Sequence, residues 1–352
     1  MENKTDLLSL SRDEIVALTE SLGEPRFRAE QLLSWTARGV PIEEMSNIPK
    51  SFREKLSKVA FVTRPATLSH QRSKDGTEKF LFGFSDGQSA ECVLMRYRNG
   101  NSACLSTQIG CRMGCAFCAS TRNGLIRDLT AGEILAEVFA VMRESGEKIS
   151  RLVLMGTGEP LDNFANVMKF IDLVTSPDGL NLGARHISLS TSGIVPQIDR
   201  LALEKRQITL SVSLHAPNDE KRNRLMPVNR AYPIAELMAS CRRYFELTGR
   251  RISFEYAMIE GINDGEEDAE ELSALLKDMQ AHVNLIPLNR VKESPFRPSP
   301  RKRVDAFVGI LSENGVNVTV RRRLGSDIDA ACGQLRANNM PGNAPEKDEV
   351  CR

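Results

Sequence analysis

The sequence predicts an α/β protein whose core is a parallel sheet of the barrel type, and two observations lead to this prediction. From about Asn101 onward, short apolar runs alternate with runs of helical periodicity, which is typical of parallel strands joined by crossover helices. The 352 residues leave room for one barrel of roughly 250 residues and a smaller appendage. The apolar runs end in Gly, Ser, Thr, Asn or His, so we expect ligands to bind at the carboxyl ends of the strands.

The first 98 residues differ in pattern from the rest of the chain. Residues 1–60 predict an N-terminal helical accessory domain, because SRDEIVALTESLG has a Ser start signal and a Gly stop signal, and RFRAEQLLSWTARG repeats apolar residues at helical spacing. Residues 61–98 predict a small β-rich bridge. Within it we expect SKDGTEKFLFGF to form a hairpin around Asp75 and Gly76, and SAECVLMRY to form a further strand.

Residues 99–335 are predicted to form the main domain. Its expected strands are SACLSTQIG, RLVLMGT, HISLSTSG, ITLSVSLHA, RISFEYAMIEG, HVNLIPLN and NVTVRRR, and its expected helices include AGEILAEVFAVMRE, NFANVMKFIDLVT and IDRLALEK. Residues 336–352 have the composition of a disordered tail.

Composition and charge exclude several classes of protein. With 41% hydrophobic and 26% charged residues, the chain has globular proportions rather than those of a collagen, a coiled coil or a disordered protein. Its formal net charge of +1 predicts neither a nucleic-acid nor a membrane partner by itself. The N-terminus lacks the apolar stretch of a signal peptide, and no apolar run is long enough for a membrane span. We therefore expect a cytoplasmic protein with no membrane partner.

Three of the eight cysteines form a compact motif. Cys111, Cys115 and Cys118 in CRMGCAFC have a C-x3-C-x2-C spacing directly after a predicted strand. Eight cysteines are too few for a disulfide scaffold in a chain of this length, and a structural zinc site would need a fourth Cys or His nearby. Three thiolates can instead hold three irons of a 4Fe-4S cluster and leave the fourth iron open to a chelating ligand. Three buried or zinc-binding cysteines are the simpler alternative.

The triplet resembles the hallmark of the radical S-adenosylmethionine (SAM) superfamily, in which SAM chelates the open iron. GTGEP at 156–160 is similar to the superfamily's SAM-binding turn, where glycines let the backbone approach a ligand and a carboxylate can accept from an ammonium group. Four further segments, LSTQIGCRMGCAFCAS, MGTGEPLDN, LSTSG with SLHAPND, and SDIDAACGQLRA, resemble the RlmN/Cfr family of radical-SAM RNA adenine methyltransferases. The resemblance covers nearly the whole chain and implies a partial (β/α)6 TIM-type barrel.

The resemblance also implies roles for individual residues. Cys332 in AACGQLR matches the cysteine that takes a methyl group from one SAM, and a 5′-deoxyadenosyl radical from a second SAM then activates that methyl. Cys104 matches the resolving cysteine, which forms a transient disulfide with the methyl carrier, and Glu91 matches the proton acceptor. The implied SAM contacts are Gly158, Glu159, Ser190, Ser213, Leu214, His215 and Asn289. The cysteines that match no motif are Cys92, Cys241 and Cys351.

Most members of this family methylate carbon 2 of an adenosine in the peptidyl-transferase region of 23S rRNA, and often the adenosine 3′ of the tRNA anticodon. The resemblance thus implies 23S rRNA and tRNA as partners, an electron donor such as flavodoxin, and a monomer. Nine basic against three acidic residues between 290 and 323, and four basic residues after SLHA, are candidate phosphate contacts. These basic residues are Lys221, Arg222, Arg224, Arg230, Arg290, Lys292, Arg297, Arg301, Lys302, Arg303, Arg321, Arg322 and Arg323.

Three alternatives remain open. A minority of the family methylates carbon 8 of the same rRNA base and confers antibiotic resistance, and both branches share these motifs. A non-catalytic iron-sulfur RNA-binding protein would need neither Cys332, Cys104 nor Glu91. A generic radical-SAM enzyme acting on a small molecule would lack the AACGQLR segment. We favour the carbon-2 enzyme, because the N-terminal module and IDAACGQLRA resemble that branch more closely.

Overall fold

A computed structural model of the chain describes residues 4–289 and 294–335. The predicted tail at 336–352, with Cys351, lies outside the described residues, as do Arg290 and Lys292. Residues 4–61 form a helical module. Its elements are β1 Thr5–Asp6, α1 Arg12–Ser21, α2 Phe27–Thr36, α3 Lys50–Val59 and β2 Ala60–Phe61.

The helical module has local start signals and a core of its own. α1 begins with a capping box, in which the Glu14 amide donates to Ser11 Oγ and the Ser11 amide donates to the Glu14 carboxylate. Leu7, Ile15 and Phe52 are buried in a hydrophobic cluster separate from the main core. β1 and β2 pair in parallel, so the two ends of the module lie side by side where the chain enters the rest of the protein.

Three antiparallel strands come after the module: β3 Ala66–Arg72, β4 Glu78–Gly83 and β5 Ser89–Tyr97. β3 and β4 form the hairpin predicted around Asp75 and Gly76, with Gly76 at φ +87°. β5 pairs with the first strand of the main domain, Gly100–Cys104. The three strands β3, β4 and β5, hereafter the β extension, therefore belong to the same sheet as the main domain.

Strands and helices alternate through the main domain. The strands are β6 Gly100–Cys104, β7 Gln108–Gly110, β8 Leu125–Asp128, β9 Arg151–Leu154, β10 Ile187–Thr191, β11 Thr209–Ser213, β12 Ile252–Met258, β13 Ala281–Pro287 and β14 Asn317–Val320. The helices are α4 Ala131–Ser145, α5 Phe164–Thr175, α6 Val195–Leu203, α7 Asp219–Leu225, α8 Ile234–Thr248, α9 Glu266–Leu275 and α10 Arg301–Glu313. The large sheet has the order β14-β13-β12-β11-β10-β9-β6-β5-β4-β3, and β7 pairs with β8 separately.

The sheet confirms the prediction of an α/β fold with a partial barrel. In the large sheet, β6 and β9 to β14 run parallel. In the part of the chain that the structure describes, at least one helix lies between each of these strands and the next. Because parallel strands all point the same way, their carboxyl ends meet at one edge of the sheet. One large hydrophobic cluster packs the helices against the strands. None of the described helices is long and apolar enough to cross a membrane.

The structure divides the segment SACLSTQIG, which the sequence predicts as one strand. β6 ends at Cys104, and β7 begins only at Gln108. The Ser106 amide donates to the Glu137 carboxylate at 3.0 Å, and the Thr107 amide donates to the Thr157 carbonyl at 2.9 Å. These bonds replace ladder bonds, so the chain leaves the sheet just before the cysteine motif.

Gly132 in α4 lies where the helical module contacts the main domain, and we expect a side chain there to weaken this contact. A Cβ at Gly132 would lie 2.2 Å from Asp6 Oδ2 and 2.5 Å from Ser9 Oγ, whereas a Cβ at Gly309 in α10 would meet nothing within 4 Å. Both replacements by alanine gain similar helix propensity. Gly132→Ala should therefore have a free energy of unfolding about 1–3 kcal/mol below that of Gly309→Ala, measured by urea unfolding. Equal stabilities would contradict the close contact.

Candidate active site

The carboxyl ends of the parallel strands surround an open cavity of about 970 Å³. Residues at and just beyond the ends of β9, β10, β11 and β13 line it, together with the cysteine loop and the segment around Cys332. A cavity at this edge of a barrel is in the usual position for a ligand. The predicted site residues that line it are Cys111, Cys115, Cys118, Gly158, Glu159, Ser190, Ser213, His215, Asn289 and Cys332.

The three predicted iron ligands share the loop between β7 and β8. The Cys111 amide donates to the Gly124 carbonyl at 2.9 Å, and the Cys118 amide donates to the Cys115 carbonyl at 3.1 Å. Burial raises the pKa of the Cys111 thiol to about 12 and also raises the pKa values of Cys115 and Cys118. Thiols buried in this way ionise when a bound metal compensates their charge.

The donor set fits an iron-sulfur cluster better than a single ion. In the part of the chain that the structure describes, no three His, Cys, Asp or Glu side chains are gathered closely enough to hold one metal ion. Ligands of a cluster need not be so close, because each thiolate binds a different iron atom. A structural zinc ion would require four ligands around one centre. Three cysteines on one cavity wall therefore match a 4Fe-4S cluster with one open iron.

The turn after β9 carries two predicted SAM contacts. Gly158 has φ +110°, and a Cβ there would lie 2.7 Å from the Gln108 side chain, so the position requires glycine. The buried Glu159 carboxylate accepts from the Leu161 amide at 3.1 Å and from the Ser192 amide at 2.6 Å. Burial raises the pKa of Glu159, and these amide bonds oppose the rise. Glu159 thus ties this turn to the loop after β10.

His215 presents a neutral ring to the cavity. It comes just after β11 with φ +57°, and its Nδ1 accepts from the Ala257 amide at 2.9 Å. Burial, together with the charge of Arg222, lowers the pKa of His215 to about 3, so the ring stays uncharged at neutral pH. Because Nδ1 is an acceptor, the proton is assigned to Nε2, which is then available as a donor.

The sequence groups Arg222 with the candidate phosphate contacts, and this prediction is wrong. Arg222 is fully buried on the inner side of α7. Its guanidinium donates to the carbonyls of Leu214 at 3.1 Å, Ser213 at 3.2 Å and Ser192 at 2.6 Å, and to Asn229 Oδ1 at 2.7 Å. Burial lowers the pKa of Arg222 to about 10, which leaves it cationic at neutral pH. Its role is to hold the loops after β10 and β11 together.

The other predicted SAM contacts lie partly on the cavity wall and partly in the hydrophobic core. The Leu214 side chain is fully buried in the hydrophobic core, while Ser213 and His215 on either side of it line the cavity. Asn289 lines the cavity and also donates from Nδ2 to the Cys332 carbonyl at 3.3 Å. Cys92 is buried in the same core as Leu214. Cys241 is buried there as well.

The remaining basic residues differ in their surroundings. Three are ion-paired: Lys221 with Asp268, Arg301 with Asp305, and Arg303 with Asp264. Arg321 lines the cavity itself. Six further basic residues belong to none of these pairs and do not line the main cavity, and all six are exposed. They are Arg224, Arg230, Arg297, Lys302, Arg322 and Arg323. Their contact with phosphate stays a prediction.

Residues 324–335, hereafter the C-terminal segment, are fixed at their start by the β3–β4 turn. The Gly325 amide donates to Asp75 Oδ2 at 2.9 Å, and the Ser73 hydroxyl donates to Asp327 Oδ1 at 2.5 Å. Burial opposes the ionisation of Asp75, but hydrogen bonds from the Gly325 and Thr77 amides outweigh it and lower the pKa of Asp75 to about 2. The anchor is therefore an ionised carboxylate at neutral pH.

The other end of the C-terminal segment lies against the cysteine loop. The Ala119 amide donates to the Gly333 carbonyl at 2.8 Å, and the Ser120 hydroxyl donates to the Leu335 carbonyl at 2.8 Å. Cys332 lies between these contacts and the hairpin anchor. The segment therefore holds Cys332 at the wall of the cavity that the three iron ligands also line.

Cys104 and Cys332 line a second, smaller cavity of about 590 Å³, and both are free thiols. Burial raises the pKa of Cys104 to about 12, and the neighbouring Cys332 contributes to the rise. Arg321 lines both cavities, and its pKa is raised chiefly by the charge of Cys332. The structure thus brings together the two cysteines for which the resemblance implies a transient disulfide, with a cation beside them.

Glu91 is buried in β5 on the face of the sheet that the C-terminal segment covers. Side chains alternate along a strand, so Glu91 and Val93 share a face, and Val93 packs against Ala330 of that segment. Glu91 Oε1 lies 3.2 Å from Lys79 Nζ, and the Glu91 carbonyl accepts from the Ser106 hydroxyl at 2.8 Å. The predicted proton acceptor is therefore held in place through both its side chain and its main chain.

Sequence reasoning misses two buried charged residues, Lys79 and Glu255. Glu255 lines the main cavity and accepts from Asn284 Nδ2 at 3.1 Å, and Arg321 lies 3.7 Å away. A charged residue inside the apolar run RISFEYAMIEG is a signal that could have identified it. Lys79 is a similar exception within EKFLFGF.

Comparisons with known proteins agree with this geometry. Residues 105–273 match the radical SAM superfamily, and residues 5–62 match the ribosomal RNA large subunit methyltransferase N-terminal domain. The chain is 52% identical to a probable dual-specificity RNA methyltransferase RlmN of Desulforamulus reducens, over 95% of this chain and 96% of that protein. It is 48% identical to the protein of the same name from Clostridium tetani, over 98% and 100%. The crystal structure of a radical SAM methyltransferase from Sphaerobacter thermophilus superposes with a TM-score of 0.91 at 45% identity, covering 94% of this chain and 99% of that one.

Arg222→Met should weaken SAM binding, because it leaves several buried carbonyls at the strand ends without a donor. Each such loss costs about 1–3 kcal/mol, so we expect the Kd for SAM to rise at least about tenfold. The measurement is equilibrium dialysis of the reconstituted protein under anaerobic conditions. Arg224→Met is the matched control, since Arg224 is on the same helix but exposed. Equal SAM affinity of the two variants would contradict the positioning role of Arg222.

Proposed function

Because the chain belongs to the RlmN family of radical SAM RNA methyltransferases, we propose that it methylates carbon 2 of an adenosine in the peptidyl-transferase region of 23S rRNA. We extend the proposal to the adenosine 3′ of the anticodon in some tRNAs. The observation that carries the proposal is the position of Cys332, which shares one cavity with the three predicted iron ligands and a second with Cys104.

Cys111, Cys115 and Cys118 would hold the 4Fe-4S cluster, and the strand-end residues around Gly158, Ser190 and His215 would bind SAM. When bound, the cluster supplies the electron that cleaves SAM and so provides a radical able to remove a hydrogen atom. The neutral His215 and the Ser190 hydroxyl offer hydrogen bonds without adding charge next to a sulfonium ion.

Cys332 serves as the carrier of the methyl group. Carbon 2 of adenine is an electron-poor carbon and cannot attack the SAM methyl as a nucleophile, so the methyl needs an intermediate carrier. The Cys332 thiolate takes a methyl from one SAM, which gives S-methylcysteine and S-adenosylhomocysteine. After this methyl loses a hydrogen atom, its carbon bonds to carbon 2, and RNA and protein are joined through Cys332. The unpaired electron that this addition leaves on the ring would pass back to the oxidised cluster, so the adduct that is resolved next is closed-shell. Arg321 lines both cavities together with Cys332, so a cationic side chain lies beside the sulfur that accepts the methyl.

Glu91 and Cys104 then release the RNA. Glu91 takes the proton from carbon 2, so an O–H bond forms as the C–H bond breaks and the electron pair stays in the ring. Cys104 bonds to the sulfur of Cys332 as the bond from that sulfur to the RNA-linked carbon breaks. The electron pair of the broken bond goes to that carbon, which takes up the proton lost by the Cys104 thiol and becomes the methyl group of the product. A thiol reductant afterwards returns both cysteines to the free state in which the structure shows them.

The same chemistry indicates partners and location. Arg322, which is exposed and lines the smaller cavity, is suited to an RNA phosphate, and the RNA would present to Cys332 a single adenosine extruded from its helix. A separate electron donor such as flavodoxin would reduce the cluster.

A monomer suffices, because one chain supplies the residues that line the cavity. We assign the protein to the cytoplasm, where these RNAs occur and thiols stay reduced.

The reconstituted protein, given SAM, a reductant and 23S rRNA that lacks the modification, should yield 2-methyladenosine. The measurement is mass spectrometry of the digested nucleosides against standards of 2-methyladenosine and 8-methyladenosine. Cys332→Ala is the control: it should keep the cluster and bind SAM but transfer no methyl group. An 8-methyladenosine peak would assign the protein to the other branch of the family, and a fully active Cys332→Ala would remove the carrier role.

Cys104→Ala should trap the RNA on the protein, because no second thiol can displace the sulfur of Cys332. We expect a covalent protein-RNA adduct that survives denaturing electrophoresis and disappears on nuclease treatment. Cys241→Ala, which removes a cysteine buried in the core away from the cavity, is the matched control and should release its product. If only free RNA is found with Cys104→Ala, the resolving role is wrong.

A further inference from the structure

Lys79 is a buried cation beneath the C-terminal segment. Its side chain is only 9% exposed, and its Nζ lies 3.2 Å from Glu91 Oε1 and 3.3 Å from the Asp329 carbonyl. A buried ammonium group is costly unless it is paired and hydrogen-bonded, so these two contacts account for its presence in the interior. One of them reaches the proposed proton acceptor, and the other reaches the segment that carries Cys332.

The strand register explains how Lys79 reaches both places. Lys79 in β4 is the register partner of Val93 in β5, and Val93 is the register partner of Cys104 in β6. Side chains of directly paired residues point to the same face of a sheet, so these three form a row under the C-terminal segment. Glu91 lies two residues before Val93 on that same face. Lys79 therefore shares one face of the sheet with Glu91 and Cys104, the two residues that we assign to the release of the RNA.

We propose that Lys79 is a positioning residue for the release step. Its ammonium group keeps the Glu91 carboxylate ionised and oriented, and its bond to the Asp329 carbonyl fixes the chain three residues before Cys332. This inference rests on the proposed function, in which Glu91 accepts the proton from carbon 2. Lys79 itself gains and loses no proton in that step.

The charge of Lys79 also affects Glu91 after the proton transfer. Once Glu91 is protonated, the buried ammonium group has lost the negative charge at 3.2 Å. This favours the return of Glu91 to its ionised form, because a charge pair in a poorly solvated place is more stable than one isolated cation. Lys79 thus resets the acceptor for the next RNA. Earlier steps, the methylation of Cys332 and the cleavage of SAM, do not involve Glu91. The C-terminal segment also keeps its anchors at Asp75, Ala119 and Ser120 without Lys79, so these steps should not depend on Lys79.

The test compares Lys79→Met with Lys79→Arg in the reconstituted full chain. Methionine keeps an unbranched side chain and removes the charge, whereas arginine retains a cation. For Lys79→Met we expect normal iron content and Cys332 methylation, a protein-RNA adduct on denaturing gels, and release of 2-methyladenosine at least tenfold slower in a single turnover. Lys79→Arg should recover part of that rate. Lys277→Met, at an exposed position after α9, is the matched control and should behave as wild type.

Two outcomes would overturn the inference. One is wild-type release by Lys79→Met; the other is an equal loss of Cys332 methylation, SAM cleavage and release, which would indicate a general structural role. If Lys79→Met does not assemble its cluster, Lys79→Gln is measured in its place under the same criteria. Cys332→Ala separates the two proposals: if it transfers no methyl while Lys79→Met is normal, the proposed function stands and only the role of Lys79 fails.

Discussion

The attachment of the C-terminal segment to the β3–β4 turn is the contact on which the candidate site depends. The barrel provides the predicted iron ligands and the predicted SAM contacts, the β extension provides Glu91, and the C-terminal segment provides Cys332. The ionised carboxylate of Asp75, through the Gly325 amide, joins the second of these parts to the third. The β extension is therefore part of the candidate site, in addition to connecting the helical module to the barrel.

Charged groups in the interior give the site its rigidity. Glu91 with Lys79, Glu255 with Arg321, and the buried Arg222 each link two or more separate segments of the chain. An unpaired charge in such surroundings is expensive, so each pair favours one arrangement of the loops over its alternatives. Groups held in this way need little rearrangement when a ligand enters, which is the usual basis of electrostatic preorganisation in enzymes.

Features encoded by local sequence could be predicted, and features that depend on distant pairing could not. The alternation of strands and helices, the hairpin at Asp75 and the cysteine spacing are all readable within short windows. The row from Lys79 to Cys104 arises from the register of three strands, which no short window contains. The interpretation of Arg222 as a phosphate contact is wrong because its guanidinium is fully buried and bonds to the Ser192 carbonyl in the loop after β10, 30 residues away in sequence. Cys332, in contrast, could be identified only through resemblance.

The distance along the chain between the two sides of the hairpin anchor has a consequence for biosynthesis. Ser73 and Asp327 are 254 residues apart, so their contact forms only after the chain between them has left the ribosome. Domains generally fold from the N-terminus as they emerge, and the barrel with its iron ligands can therefore assemble first. A chain whose synthesis stops after β14 would contain Cys111, Cys115 and Cys118 but would lack Cys332. The order of translation thus brings Cys332 to the cavity after the strands and loops that form its other walls.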